Sequence, residues 1–185
     1  MQNMEYALTY LTYTEENSMG KNRGKSFEGH IEEAFEKISD VSVVRLHDQT
    51  TGYLGSSNHC DFIVYKKPYE YHIECKSIHG NTFPFSNITD NQYKGLLEKS
   101  KIQGVFAGLI VWWIDRDVTA FVPIQFIEWQ KTLGRKSLPY GLADGVEFEN
   151  WISCITIPGK KKRVFFDYSM DHFFHTIEKS NRREV

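Results

Sequence analysis

Cysteine is scarce. Cys60, Cys75 and Cys154 are widely spaced and odd in number, so neither a disulfide framework nor a paired CxxC zinc module is expected, and a reducing cytoplasm suits such a chain. Long apolar runs are missing too. The longest, Val105 to Ile114, is about half of what a membrane helix needs. The opening MQNMEYALTY has no basic stretch leading into an apolar one, so no secretory signal is expected. A charge excess is also absent. The 22 Lys+Arg stand against 24 Asp+Glu, a net charge of −2, which excludes a histone-like, uniformly basic mode of nucleic-acid binding but leaves room for local basic patches. No repeat or low-complexity segment is visible. What is present is 41% hydrophobic and 15% aromatic residues in 185, enough for one packed domain.

Residues 1–20 read as an N-terminal arm, and 21–185 as a single domain. Ser26 fits a helix N-cap. Phe27, Ile31, Ala34, Phe35 and Ile38 then recur at helical spacing, predicting an amphipathic helix over 27–39. VSVVRLH (41–47) is β-branched and reads as a strand, followed by a turn-rich loop from Asp48 to Asn58. Cys60–Tyr65 and Tyr71–Ser77 read as strands joined by a tight turn at Pro68. A helix is expected over 90–101 behind Thr89. A strand buried on both faces is expected over 105–114, then a strand over 118–122 and a short helix opened by Pro123. Residues 131–150 read as loop-rich, 153–157 and 163–166 as a hairpin around PGKKK, and 170–178 as a closing helix. The order predicts an α/β fold, a mixed central sheet flanked by helices.

The chemistry sits on one strand. Side chains two apart share a face, about 7 Å from each other along the chain. His72, Glu74 and Lys76 therefore point one way, and Ile73 and Cys75 the other. Asp61 begins the neighbouring strand of the hairpin. Two carboxylates there suit a hard divalent cation, which takes oxygen ligands and leaves positions for water and phosphate. A lysine beside them can orient an attacking water or offset charge on a pentavalent phosphate. Taken alone, an E-x-K is too short to decide the matter: Asp61 can equally cap a turn while Glu74 and Lys76 form an exposed ion pair.

The surrounding residues add weight. D-x(12)-E-x-K is the arrangement of PD-(D/E)xK nucleases. NRGKSFEGHIEEAF (22–35), CDF (60–62), IECK (73–76), TFPFSNITDNQ (82–92) and GRKS (134–137) together resemble, in order, the RecU-type Holliday-junction resolvases. Asn22, Arg23, Gly24 and Glu28 match the opening segment, Asp61, Glu74 and Lys76 the central one, and Thr82, Phe83, Pro84, Asn87 and Gln92 the next, with a weaker echo at Asp167-Tyr168. The resemblance implies a restriction-endonuclease-like fold, Mg²⁺ (or Mn²⁺ in its place), branched DNA as substrate and a homodimer. It also implies Glu28 as a third acid near the metal, where spacing alone does not choose it over Glu32 or Glu33 and a helix-dipole role is the plain alternative. Gln92 is implied in the active site, although Thr89-x-x-Gln92 is also a capping box. Lys21, Arg23 and Lys25 before the first helix, and Arg135 and Lys136 later, are candidates for phosphate contacts, with a solvated basic loop as the alternative. Lys160–Arg163 are further candidates.

Three departures stand out. Cys60 replaces the usual threonine before the aspartate. Gly29 replaces an acid after Glu28. Only about a dozen residues, Asp48 to His59, occupy the place of a long projecting stalk, so junction specificity is the property most exposed to change. His59, Cys60, His72 and Cys75 match no standard zinc module, and Cys75 points away from the others' face, so zinc is not expected there. His172 and His175 read as an exposed helix face. Trp112, Trp113, Phe121, Phe126 and Trp129 read as core or dimer interface.

Overall fold

The computed structural model describes residues 26–46, 58–142, 154–162 and 166–181. The expected arm, all of the expected stalk region up to residue 57, and Lys21, Arg23 and Lys25 lie outside these residues.

Helix α1 (26–36) is followed by strands β1 (Val41–Arg45), β2 (Phe62–Lys66), β3 (Tyr69–Ile78) and β4 (Thr82–Pro84). Helix α2 (Asp90–Lys99) leads to β5 (Val105–Trp113) and β6 (Val118–Pro123). Helix α3 (Ile124–Thr132), β7 (Ser137–Pro139), β8 (Ile155–Thr156), β9 (Gly159–Lys161), β10 (Phe166–Tyr168) and α4 (Met170–Asn181) complete the order. Six strands form one mixed sheet in the order β1-β2-β3-β5-β6-β8. All neighbours are antiparallel except β3 and β5, which run parallel because α2 carries the chain back between them. This is the α/β architecture expected.

The sheet divides the core in two. Phe27, Ile31 and Phe35 of α1 and Met170, Phe173, Phe174 and Ile177 of α4 pack on one face, against Tyr71, Ile73, Cys75, Ile110 and Trp112. Leu96 of α2 and Ile124 and Ile127 of α3 pack on the other, against Leu109, Val111, Trp113 and Val122. Strand β5 is buried from Phe106 to Trp113, which explains its unbroken apolar run. Gly108 permits the closest approach. A Cβ there would lie 2.4 Å from the carbonyl oxygen of Val122 and 2.8 Å from the Phe121 ring. No described helix is long and apolar enough to cross a membrane.

Two sequence expectations change. The loop-rich 131–150 stretch gains one short strand among its described residues: Ser137–Pro139 pairs with Thr82–Pro84 in a small separate sheet, with Leu138 fully buried. Three residues ending in proline carry no periodic signal. Residues 153 and 163–165 of the expected hairpin lie outside the described residues, and the described part pairs differently. Ile155–Thr156 joins the central sheet beside β6, and Gly159–Lys161 pairs with Phe166–Tyr168 instead. Ile155 and Ile157 gain more by burial in the main core than a local hairpin would give them, while Gly159–Lys161 is exposed throughout and shows no apolar pattern.

Candidate active site

Strand β3 is covered on both faces, so its alternation places Tyr71, Ile73 and Cys75 in the α1/α4 core and turns Glu74 toward α2. Glu74 is 3% exposed. The surface ion pair considered from sequence is therefore not what forms: Lys76 Nζ lies 2.7 Å from Glu74 Oε1, but the carboxylate is inside the protein.

Asp61 is fixed by main-chain bonds before β2 begins. Its N–H donates to the Ile73 carbonyl (3.0 Å) and its carbonyl accepts from the Leu46 N–H (2.8 Å). Its side chain reaches across to β3, where Oδ2 accepts from the Cys75 N–H at 2.7 Å. Asp61 and Glu74 thus lie close enough to act on each other electrostatically. Burial pushes the Asp61 carboxyl up to about 6 despite the Cys75 bond. Burial, then the neighbouring Asp61 charge, pushes Glu74 up to about 8 despite Lys76.

Gln92 forms the capping box considered for it and also contacts Glu74. Thr89 Oγ1 accepts from the Gln92 N–H (3.3 Å), and Gln92 Oε1 accepts from the Thr89 N–H (3.0 Å), a complete capping box. The same amide's Nε2 donates to Glu74 Oε1. The helix cap thereby aims a donor at the buried carboxylate.

Glu28 lies on α1, close enough for its charge to raise both Asp61 and Glu74. Its carboxylate is held by Arg45, whose Nη2 stands 2.6 Å from Glu28 Oε2 and whose Nη1 donates to Glu32 Oε2 at 2.9 Å. Sequence reasoning missed Arg45. The signal was available: an arginine ending a strand, opposite two glutamates spaced i, i+4 on a helix. The guanidinium also lies over the Phe62 ring, 5.6 Å from its centroid.

Arg135 and Lys136 are brought beside the segment after β4, where the Phe85 N–H donates to the Lys136 carbonyl (2.9 Å). They line a groove of about 730 Å³ with Thr82, Ser86, Asp90 and Lys131. Arg135 Nη1 donates to the buried Gln130 Oε1 at 2.7 Å, which fixes its guanidinium. Lys161 and Lys162 are instead paired with Asp117 and Asp167. His172 and His175 are exposed, as expected. Trp112, Trp113, Phe121 and Phe126 are buried and Trp129 is partly so, which makes this aromatic set core.

The family model for Recombination protein U, RecU, matches residues 22–153, well over half of the chain. The chain belongs to the RecU family. RecU proteins are Holliday-junction-resolving nucleases, and this chain is such an enzyme. Among solved structures, Hjc, a Holliday junction resolvase from the archaeal hyperthermophile Archaeoglobus fulgidus, is similar at 18% identity over 55% of this RecU chain and 78% of that chain, with a TM-score of 0.41. Among curated proteins nothing matches.

Proposed function

We propose that this RecU-family chain hydrolyses the phosphodiester backbone of four-way DNA junctions at the recess of Asp61 and Glu74, with Mg²⁺ as its cation and Mn²⁺ as a substitute. The observation that carries this reading is a pair of neighbouring like-charged carboxylates, buried Glu74 and half-buried Asp61, with Lys76 paired to Glu74. Such a pair is costly to keep charged. It fits a hard divalent ion, because the donor atoms are oxygens and the charge deficit is met by a cation. Asp61 and Glu74 would hold that ion, and Glu28 would join them once it leaves Arg45. When bound, the cation supplies Lewis-acid stabilisation for charge developing on the phosphate.

The chain's own residues do the rest. Gln92 and Lys76 both contact Glu74 Oε1 and so hold the carboxylate in one orientation. Lys76, 23% exposed, has its ammonium where it can hold a water against the phosphate or offset added charge. Arg135 and Lys136 would receive a backbone phosphate in the groove, and Lys21, Arg23 and Lys25 would add contacts from the segment before α1. A junction presents two strands to be cut, so a homodimer with one site per strand is part of the proposal. A reducing cytoplasm suits the three free thiols.

The test is a panel of purified substrates, four-way junction, fork, flap and linear duplex, with Mg²⁺. Preferential junction cleavage is expected, lost in Glu74→Gln while junction binding persists. Equal cleavage of linear duplex would overturn the substrate assignment, and undiminished cutting by the variant would overturn the site.

A further inference from the structure

Beside the carboxylate recess lies a second cluster with different chemistry. His59, Cys60 and His72 bring three ligand atoms within 4.8 Å of one another. His59 Nε2 is 2.8 Å from His72 Nδ1, and Cys60 Sγ is 3.9 Å from the same nitrogen. Cys60 and His72 are 2% and 1% exposed. Of the four residues weighed from sequence, only Cys75 is turned away, into the opposite core.

The ring of His72 is already oriented. Its Nε2–H donates to Glu70 Oε1 at 2.7 Å. With the proton there, Nδ1 of the neutral ring presents its lone pair toward His59 and Cys60. A carboxylate on the far nitrogen is the usual outer partner of a metal-binding histidine. His59 is positioned from behind by α2, because a Cβ on Gly95 would lie 2.4 Å from the His59 Cβ. Only glycine lets the two segments approach this closely.

The dimensions suit zinc. Tetrahedral bonds of about 2.0–2.1 Å to nitrogen and about 2.3 Å to sulfur require roughly 3.3 Å between the nitrogens and roughly 3.6 Å between sulfur and nitrogen. The two separations from His72 Nδ1, 2.8 and 3.9 Å, differ from these by about half an ångström or less, and the third pair, His59 and Cys60, lies within 4.8 Å. Side-chain rotation alone can cover that.

We propose that His59, Cys60 and His72 form a binding site for Zn²⁺ or a similar borderline-soft divalent ion, oriented by Glu70 and separate in ligand type from the all-oxygen pair Asp61–Glu74. Binding exchanges protons for metal. Cys60 ligates as thiolate and releases its proton to solvent. His59 ligates through Nε2 with its ring proton moved to Nδ1. A water completes the fourth position. The consequence is mechanical: the ion ties the segment entering Asp61 to β3 and holds it against α2.

The test is a Co²⁺ titration of the metal-free, reduced full chain. Wild type is expected to bind one equivalent with a thiolate-to-cobalt charge-transfer band and tetrahedral visible absorption, both erased by Zn²⁺. Cys60→Ser should lose the charge-transfer band. His59→Ala, at the more exposed edge, should weaken binding at least tenfold with an unchanged far-ultraviolet dichroism spectrum. Glu70→Gln should weaken it about 10–100-fold. Asp61→Asn with Glu74→Gln should keep the band, which separates this site from the nuclease reading. Absence of the band in wild type, or its persistence in Cys60→Ser, where Cys75 or Cys154 would have to supply it, would overturn the proposal.

Discussion

Gln92 shows how one side chain joins stability to chemistry. Its carbonyl oxygen closes the α2 cap and its amide nitrogen meets Glu74. Thr89→Ala should cost about 1 kcal/mol in urea unfolding, with cleavage reduced only modestly. Gln92→Ala should show a similar stability loss and a much larger fall in cleavage, because Glu74 loses its inward donor. Equal effects of the two variants on cleavage would contradict this division. The carboxylates give a pH prediction as well. Both pKa values lie above their ordinary values of 3.8 and 4.5, so between about 4 and about 8 the folded protein binds more protons than the unfolded chain. Stability of the metal-free protein should therefore fall as pH rises through that window. Added Mg²⁺ should recover it at the alkaline end, where it no longer competes with protons. Glu74→Gln should flatten the thermal-melting profile; an unchanged slope would argue against burial of this carboxylate. At this scale the sequence was informative about types and spacing. Asp61, Glu74 and Lys76 could be read from alternation and order. Burial of Glu74 could not, since it depends on which segments pack across the sheet; the Arg45 clamp left a signal that went unread, and His59, Cys60 and His72 could be grouped from sequence but not shown to converge.

At the level of elements, the site is a seam between the end of β1, the entry to β2, the middle of β3 and the start of α2. Arg45 spans it toward α1. Arg45→Met should cost about 1–3 kcal/mol by leaving Glu28 and Glu32 without their cation near Asp61. The same change should strengthen Mg²⁺ binding, since a competing positive charge is removed; weaker binding would instead make Arg45 necessary for positioning Glu28. Gly108→Ala should be severely destabilising, because the added carbon meets a backbone oxygen and not a flexible side-chain end. An urea midpoint near wild type would contradict the close β5–β6 approach. Long, periodic or strongly apolar elements were legible: α1, β3, α2, β5 and β6 lie within a few residues of their expected bounds. The pairing of the short strands was not, although Ile155–Thr156 falls within the strand expected over 153–157. Ile155–Thr156 and Ser137–Pro139 owe their pairing to tertiary contacts, which a two- or three-residue pattern cannot announce.

For the whole molecule, a net charge of −2 is compatible with DNA binding because the basic groups are local. Junction affinity should fall steeply with salt, and Arg135→Ala with Lys136→Ala should reduce the slope of log affinity against log salt by up to about 2. An unchanged slope would place the phosphate contacts elsewhere. The proposed homodimer predicts that mixed dimers of one wild-type and one Glu74→Gln subunit nick a single strand; cutting of both strands would contradict it. The central claim concerns the paired carboxylates, and single-turnover cleavage of a four-way junction measures it most directly. Wild type should cut with Mg²⁺, and Asp61→Asn and Glu74→Gln should each bind the junction with near-normal affinity yet cut at least a thousandfold more slowly. Cleavage by either variant within tenfold of wild type would contradict the account.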